Sequence, residues 1–156
     1  MVASGTHNFI DSEFSDNEAT MWGGGLYVGD LFTDTNAYTN AEVNLTDTLV
    51  SNNTSERAGG AVSHNGATLN CTATSSGIPA GFLNNTSTGA LALSTIYLTN
   101  SGSFSSNLCD MDNGTTSSDN SPNDINIWNG VSNAQFNYGD NVTFECVEIG
   151  SQYICQ

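Results

Sequence analysis

Lysine is missing from this 156-residue sequence and Arg57 is its only arginine, against sixteen Asp and Glu, so the formal net charge is −15. A nucleic-acid binder draws most of its affinity from Lys and Arg that neutralise phosphates, and an anionic membrane surface asks for the same side chains. Neither partner class is expected. The partners that suit so acidic a chain are water, metal cations, neutral glycans, ice and proteins with a basic patch.

Other absences narrow the class further. No apolar run approaches the roughly 20 residues that span a bilayer. The start, Met1-Val2-Ala3-Ser4-Gly5, has no signal-peptide hydrophobic region, so export implies a leader already removed. No segment shows a helical apolar stripe, and Ala, Leu, Glu and Lys are sparse where a helix would need them. No G-x-S-x-G and no Cys-His-Asn arrangement is readable, and His7 and His64 stand apart from any nucleophile. The four cysteines lack the paired C-x-x-C spacing of a zinc site. Disulfides in an oxidising compartment are the better reading of Cys71, Cys109, Cys146 and Cys155. Three connectivities are open; Cys146 with Cys155 closes a short C-terminal loop and leaves Cys71 with Cys109.

What is present is a recurring motif. Phe-x-x-Asn occurs at Phe14 to Asn17, Phe82 to Asn85 and Phe104 to Asn107, with a substituted copy at Leu49 to Asn52. A glycine pair follows the first two copies, Gly24-Gly25 and Gly59-Gly60. The last interval, Phe82 to Phe104, is 22 residues; the longer ones before it read as a coil of that size plus loops at about 29–41 and 70–81, both leaving one corner. Between the Gly and Asn residues, stretches such as Val43 to Leu49 alternate apolar and polar, the period of short strands with one buried face. A period in the twenties, built of three short strands and tight turns, suits a solenoid, in which each coil buries its apolar face on the next. Phe14, Leu49, Phe82 and Phe104 then stack inside. Asn17, Asn52, Asn85 and Asn107 sit at a bend, tolerating left-handed geometry and building a ladder between coils.

The paired FxxN and GGA[ILV] motifs resemble those of chlamydial polymorphic outer-membrane proteins and related bacterial β-helix proteins of the pectate-lyase-like group. The resemblance covers about residues 8 to 107. It implies an all-β, right-handed parallel β-helix, secreted or held at the cell surface, with an adhesive role. The expected domain plan is coils over 1–107, then a terminal coil and disulfide-tied cap over 108–156, about four to five coils in all.

The C-terminal segment offers clustered oxygens at Asp110, Asp112, Asn113, Asp119, Asn120 and Asp124, a donor set that Ca²⁺ accepts and that turn formation also explains. No cofactor is required. Enzymes of the pectate-lyase-like fold work through basic residues, for which only Arg57 is available, or through paired carboxylates, for which Asp30, Asp34 and Asp47 supply the arithmetic. The leading expectation is a non-catalytic structural or adhesive module that contacts a surface protein or glycan, or stacks end to end with itself. Trp22, Tyr27, Tyr38 and Trp128 are sugar-stacking candidates, although such rings more often pack. Two alternatives stand beside it: an ice-binding face using Thr46, Thr48, Thr86, Thr88 and Thr99, and a polysaccharide-acting hydrolase. Eight N-x-S/T sequons, among them Asn44, Asn53, Asn70 and Asn85, mark surface positions.

Overall fold

The computed structural model describes residues 4–29, 41–75, 80–88, 96–99, 103–107, 109, 125–128, 135–138, 146–149 and 152–155; from 125 onward, and at His64, Leu98 and Thr99, it describes the backbone alone. No helix occurs among the described residues. The first repeat holds β1 (Gly5–Ile10), β2 (Glu13–Ser15), β3 (Glu18–Ala19) and β4 (Leu26–Gly29); the second holds β5 (Ala41–Thr46), β6 (Leu49–Ser51), β7 (Thr54–Ser55) and β8 (Val62–Asn65). The third holds β9 (Thr68–Thr72), β10 (Gly81–Leu83), β11 (Thr86–Ser87) and β12 (Ile96–Thr99). After them come β13 (Ser103–Asn107), β14 (Ile125–Trp128), β15 (Gln135–Tyr138), β16 (Cys146–Ile149) and β17 (Gln152–Cys155).

Each repeat gives one strand to each of four sheets, in order: β1-β5-β9-β13-β15, β2-β6-β10, β3-β7-β11 and β4-β8-β12-β14-β17-β16. All pairs are parallel except those of β17 with β14 and with β16. The strands follow from period two. In β5, Ala41, Val43 and Leu45 are buried while Glu42, Asn44 and Thr46 stay half-exposed. Stacking continues the core from strand to strand, since Val43 lies opposite Leu69, and Leu69 opposite Phe104. Phe82 and Phe104, both fully buried, meet edge to face at 5.8 Å between centroids.

The repeat differs from the sequence expectation in register and strand number. The first two repeats are offset by 36 residues throughout, as in Phe14 opposite Val50 and Leu26 opposite Val62. Val50, not Leu49, is therefore the second core residue of the motif, and Asn53 is its buried ladder residue, while Asn52 takes the left-handed bend and accepts from Asn84 Nδ2 on the exposed side (2.6 Å). The glycine pairs slip likewise, with Gly60 carbonyl facing Gly24 and Gly59 falling level with Gly23. Phe104 to Asn107 belongs to β13, opposite β9, and is no copy of the Phe14 motif although Phe104 is a core residue. Asn107 there lies opposite Thr72 and is exposed. Each repeat contains four strands because the chain bends between the second and third at a left-handed residue: Asp16 (φ 57°), Asn52 (φ 55°) or Asn84 (φ 52°). Asp and Asn reach this region at little cost.

The shortest repeat is 26 residues, the separation of Asn44 and Asn70. The longer intervals carry their main insertions at two different corners. Residues 30–40, between β4 and β5, lie outside the described set; β8 and β9 are joined there by only Gly66 and Ala67. The second insertion occupies 73–80, between β9 and β10, where the earlier repeats use two residues. The expected loop at 70–81 therefore begins too early: Asn70, Cys71 and Thr72 complete β9, with Cys71 buried and its neighbours half-exposed. Serine and threonine richness suggests a loop, yet the alternation is that of a strand.

A disulfide joins Cys71 to Cys109, both buried, across adjacent repeats. In the antiparallel hairpin of β16 and β17, Cys146 stands directly opposite Cys155, while the side chains there lie outside the described set. Gly59, at φ 68°, closes the turn into β8, and a Cβ there would stand 2.3 Å from the Val62 carbonyl oxygen. Gly59→Ala is expected to lower stability by about 1–3 kcal/mol in urea unfolding, since both the left-handed φ and the backbone contact resist a side chain.

Candidate interaction surfaces

Two asparagine ladders organise the stack. The inner one runs Asn17, Asn53, Asn85: Asn17 donates its backbone N–H and its Nδ2 to Asn53 Oδ1 (3.0 and 2.9 Å), and Asn53 repeats both bonds to Asn85 Oδ1 (3.1 and 3.0 Å). The amides also donate back to the preceding repeat, Asn53 Nδ2 to Phe14 O and Asn85 Nδ2 to Val50 O, each at 2.8 Å. Asn53 and Asn85 are completely buried, so their sequons cannot carry a glycan in the folded chain.

The outer ladder, on the solvent side of the five-stranded sheet, was not anticipated. Asn44 Nδ2 donates to Asn8 Oδ1 (2.9 Å), Asn70 Nδ2 to Asn44 Oδ1 (2.8 Å), and the Ser105 hydroxyl to Asn70 Oδ1. A row of Thr6, Glu42, Thr68 and Ser103 flanks it, with Thr6 on Glu42 and Ser103 on Thr68. The sequence does carry the signal: Asn8-Phe9-Ile10, Asn44-Leu45-Thr46 and Asn70-Cys71-Thr72 repeat as Asn, apolar, β-branched. The result is a regular face of amides and hydroxyls with the Glu42 carboxylate among them.

The aromatic candidates part company. Tyr38 lies outside the described residues, and of Trp128 only the backbone, in β14, is described. Tyr27, Ser63 and Tyr97 form one column across the outer face of the six-stranded sheet. Trp22, half-buried, pairs with Ala58 and stacks on Tyr97 at 5.8 Å and 12°. Arg57, exposed, holds its guanidinium 5.6 Å from the indole centroid. Trp22 is therefore a packing residue as well as a partly exposed ring. Burial pushes the Tyr97 phenol up to about 12. Its folded value exceeds the unfolded one, so its contribution to stability is intact below pH 10 and fades as pH rises toward 12. Trp22→Ala is expected to rehydrate Tyr97 and return its ionisation toward 10, read by ultraviolet absorbance titration.

Of the remaining candidates, those among the described residues form no cluster. Asp110, Asp112, Asn113, Asp119, Asn120 and Asp124 fall outside the described residues, as do Asp30 and Asp34. Among the described residues no group of three His, Cys, Asp or Glu could hold a metal. Asp47 anchors the second insertion, accepting from Thr74 N and Thr74 Oγ1 at 2.7 Å each. His7 bonds Ser4 O at 2.8 Å. Thr48 is fully buried at a corner, Thr46 lies on the five-stranded sheet and Thr86 on the β3-β7-β11 sheet, so these threonines form no common rank.

Comparison with known proteins gives one family. A family model described as the Chlamydia polymorphic membrane protein repeat matches residues 11–29, the segment that holds β2, β3 and β4 with the Phe14 to Asn17 motif and the glycine run. Neither the curated proteins nor the solved structures contain a significant match.

Proposed function

We propose that this chain is a right-handed parallel β-helix acting as a non-catalytic adhesive or structural module at a cell surface. The observation that carries the reading is the invariant succession of strands, one to each of four sheets per repeat, tied by the Asn17-Asn53-Asn85 ladder. The repeat match over residues 11–29 supports placement among bacterial surface proteins, and the Cys71–Cys109 disulfide suits an oxidising exterior. A stack of this kind offers long regular faces rather than a cleft, which fits contact with a protein or glycan surface.

The fold reading is tested by excising residues 41–66, one uninserted repeat. A solenoid tolerates the loss because each repeat contacts only its neighbours, so cooperative unfolding and β circular dichroism should survive; an unfolded product would refute it. The adhesive role is tested with protein-coated beads on cultured epithelial cells. Saturable attachment that soluble protein competes away supports it, and attachment no better than albumin-coated beads removes it.

A further inference from the structure

Trypsin-like proteases cut after Lys or Arg, whose side chain fills an acidic pocket while the scissile carbonyl enters an oxyanion hole. With no lysine and one arginine, this sequence offers such enzymes a single bond, Arg57–Ala58. Arg57 is exposed, and so is Glu56 beside it. The chain on either side is not: Ser55 is buried, and so are Ala58, Gly59 and Gly60.

This segment lies in the second repeat, and both neighbouring repeats hold it by its main chain. Toward the first repeat, Glu56 N donates to Ala19 O (2.9 Å) and Arg57 N to Met21 O (3.1 Å), while the Ala58 carbonyl accepts from Gly23 N (3.1 Å). Toward the third, Ser55 O accepts from Thr88 N (2.9 Å) and Arg57 O from the Ser87 hydroxyl (3.3 Å). That last acceptor is the carbonyl a protease must polarise. An enzyme that takes its substrate as an added strand needs these main-chain groups free, and here they are spoken for.

The side chain is held as well. The Arg57 guanidinium stands 5.6 Å from the Trp22 centroid, within cation–π range. Trp22 in turn stacks on Tyr97 at 5.8 Å and 12°, and its backbone bridges to Ala58, the residue after the bond. One indole of the first repeat therefore touches the second repeat at Arg57 and Ala58 and the third at Tyr97.

We propose that Trp22 is a latch that closes the Arg57–Ala58 bond to trypsin-like proteases, leaving the folded chain without a usable site for that class of enzyme. Cleavage requires the guanidinium to leave the indole and residues 55–58 to leave the main-chain bonds on both sides. The first step is local to Trp22, whereas the second draws on the stability of the whole stack. That difference separates a latch from an ordinary packing residue.

Oxidised protein and an isolated peptide of residues 52–62 are digested with trypsin side by side, and the cut after Arg57 is followed by mass spectrometry. The peptide carries the same Glu56, so the effect of an acidic neighbour cancels. The folded chain is expected to be cut at least about a hundredfold more slowly than the peptide, because cleavage tracks the population of the open form. A smaller ratio overturns the proposal. Trp22→Ala is expected to speed the trypsin cut at least about fivefold more than it speeds digestion by thermolysin, which attacks apolar residues throughout the chain. Trypsin and thermolysin rates that rise together overturn the latch, since Trp22 then acts only through overall stability. Should Trp22→Ala not fold, Trp22→Leu, which keeps apolar bulk and removes the indole face, is held to the same outcomes. Failure here leaves the repeat-excision and bead results untouched, so the readings fall separately.

Discussion

Replacing both Cys71 and Cys109 by alanine is expected to cost about 4 kcal/mol, the chain-entropy value for a loop of this size, and to lower Tm by about 10 °C. The bridge spans 38 residues and ties β9 to the chain just beyond β13. Without it the unfolded chain regains the freedom of that loop. The effect has a second source, since both sulfurs are buried and alanine leaves a void in the core column below Leu45. Calorimetry of the double variant against the oxidised parent measures the sum. A loss below about 1 kcal/mol would show that stacking alone positions the fourth strand of the five-stranded sheet.

The second large effect is expected at Asn53, the centre of the inner ladder. Asn53→Ala removes two bonds from Asn17 and two donated to Asn85 Oδ1 and Phe14 O, the bond to Asn85 buried and the other three partly so. With those groups left short of partners the cost is about 3 kcal/mol, whereas Asn17→Ala, at the exposed end, should cost less than about 1 kcal/mol. Asn53→Asp keeps the shape but places a carboxylate against two acceptors, so its folded pKa must rise above the unfolded one. Relative to the parent, that variant should be most stable below the unfolded Asp value of about 4 and lose stability as pH climbs through the folded one. Denaturant midpoints between pH 3 and 7 give the test; a flat difference would mean the Asn53 amide is not a donor in the fold.

Much of the fold was legible in the order of residues. Short alternating stretches such as Ala41–Thr46 state their strand character and buried face directly. Glycine and asparagine mark the bends, and the Phe14 motif with its glycine run announces a repeat. The interaction surfaces were less legible. Asn8, Asn44 and Asn70 lie 36 and then 26 residues apart, so the outer ladder shows only once the insertions have been removed and the repeats superposed.

By itself the sequence determined an all-β chain of repeats, a strongly acidic composition, and the apolar position near the bend at Phe14 and Phe82, because alternation, composition and turn chemistry are local properties. Tertiary structure alone decided which copy is equivalent to which. Leu49-Val50-Ser51-Asn52-Asn53 satisfies the motif in two frames, and adjacent residues of a strand face opposite sides, so a one-residue slip would have exchanged core for solvent. Stacking resolves it: Val50 falls between Phe14 and Phe82, and Asn53 between Asn17 and Asn85, leaving Asn52 to take the left-handed bend. The choice lies in hydrogen bonds between residues more than 30 positions apart, which no local pattern contains.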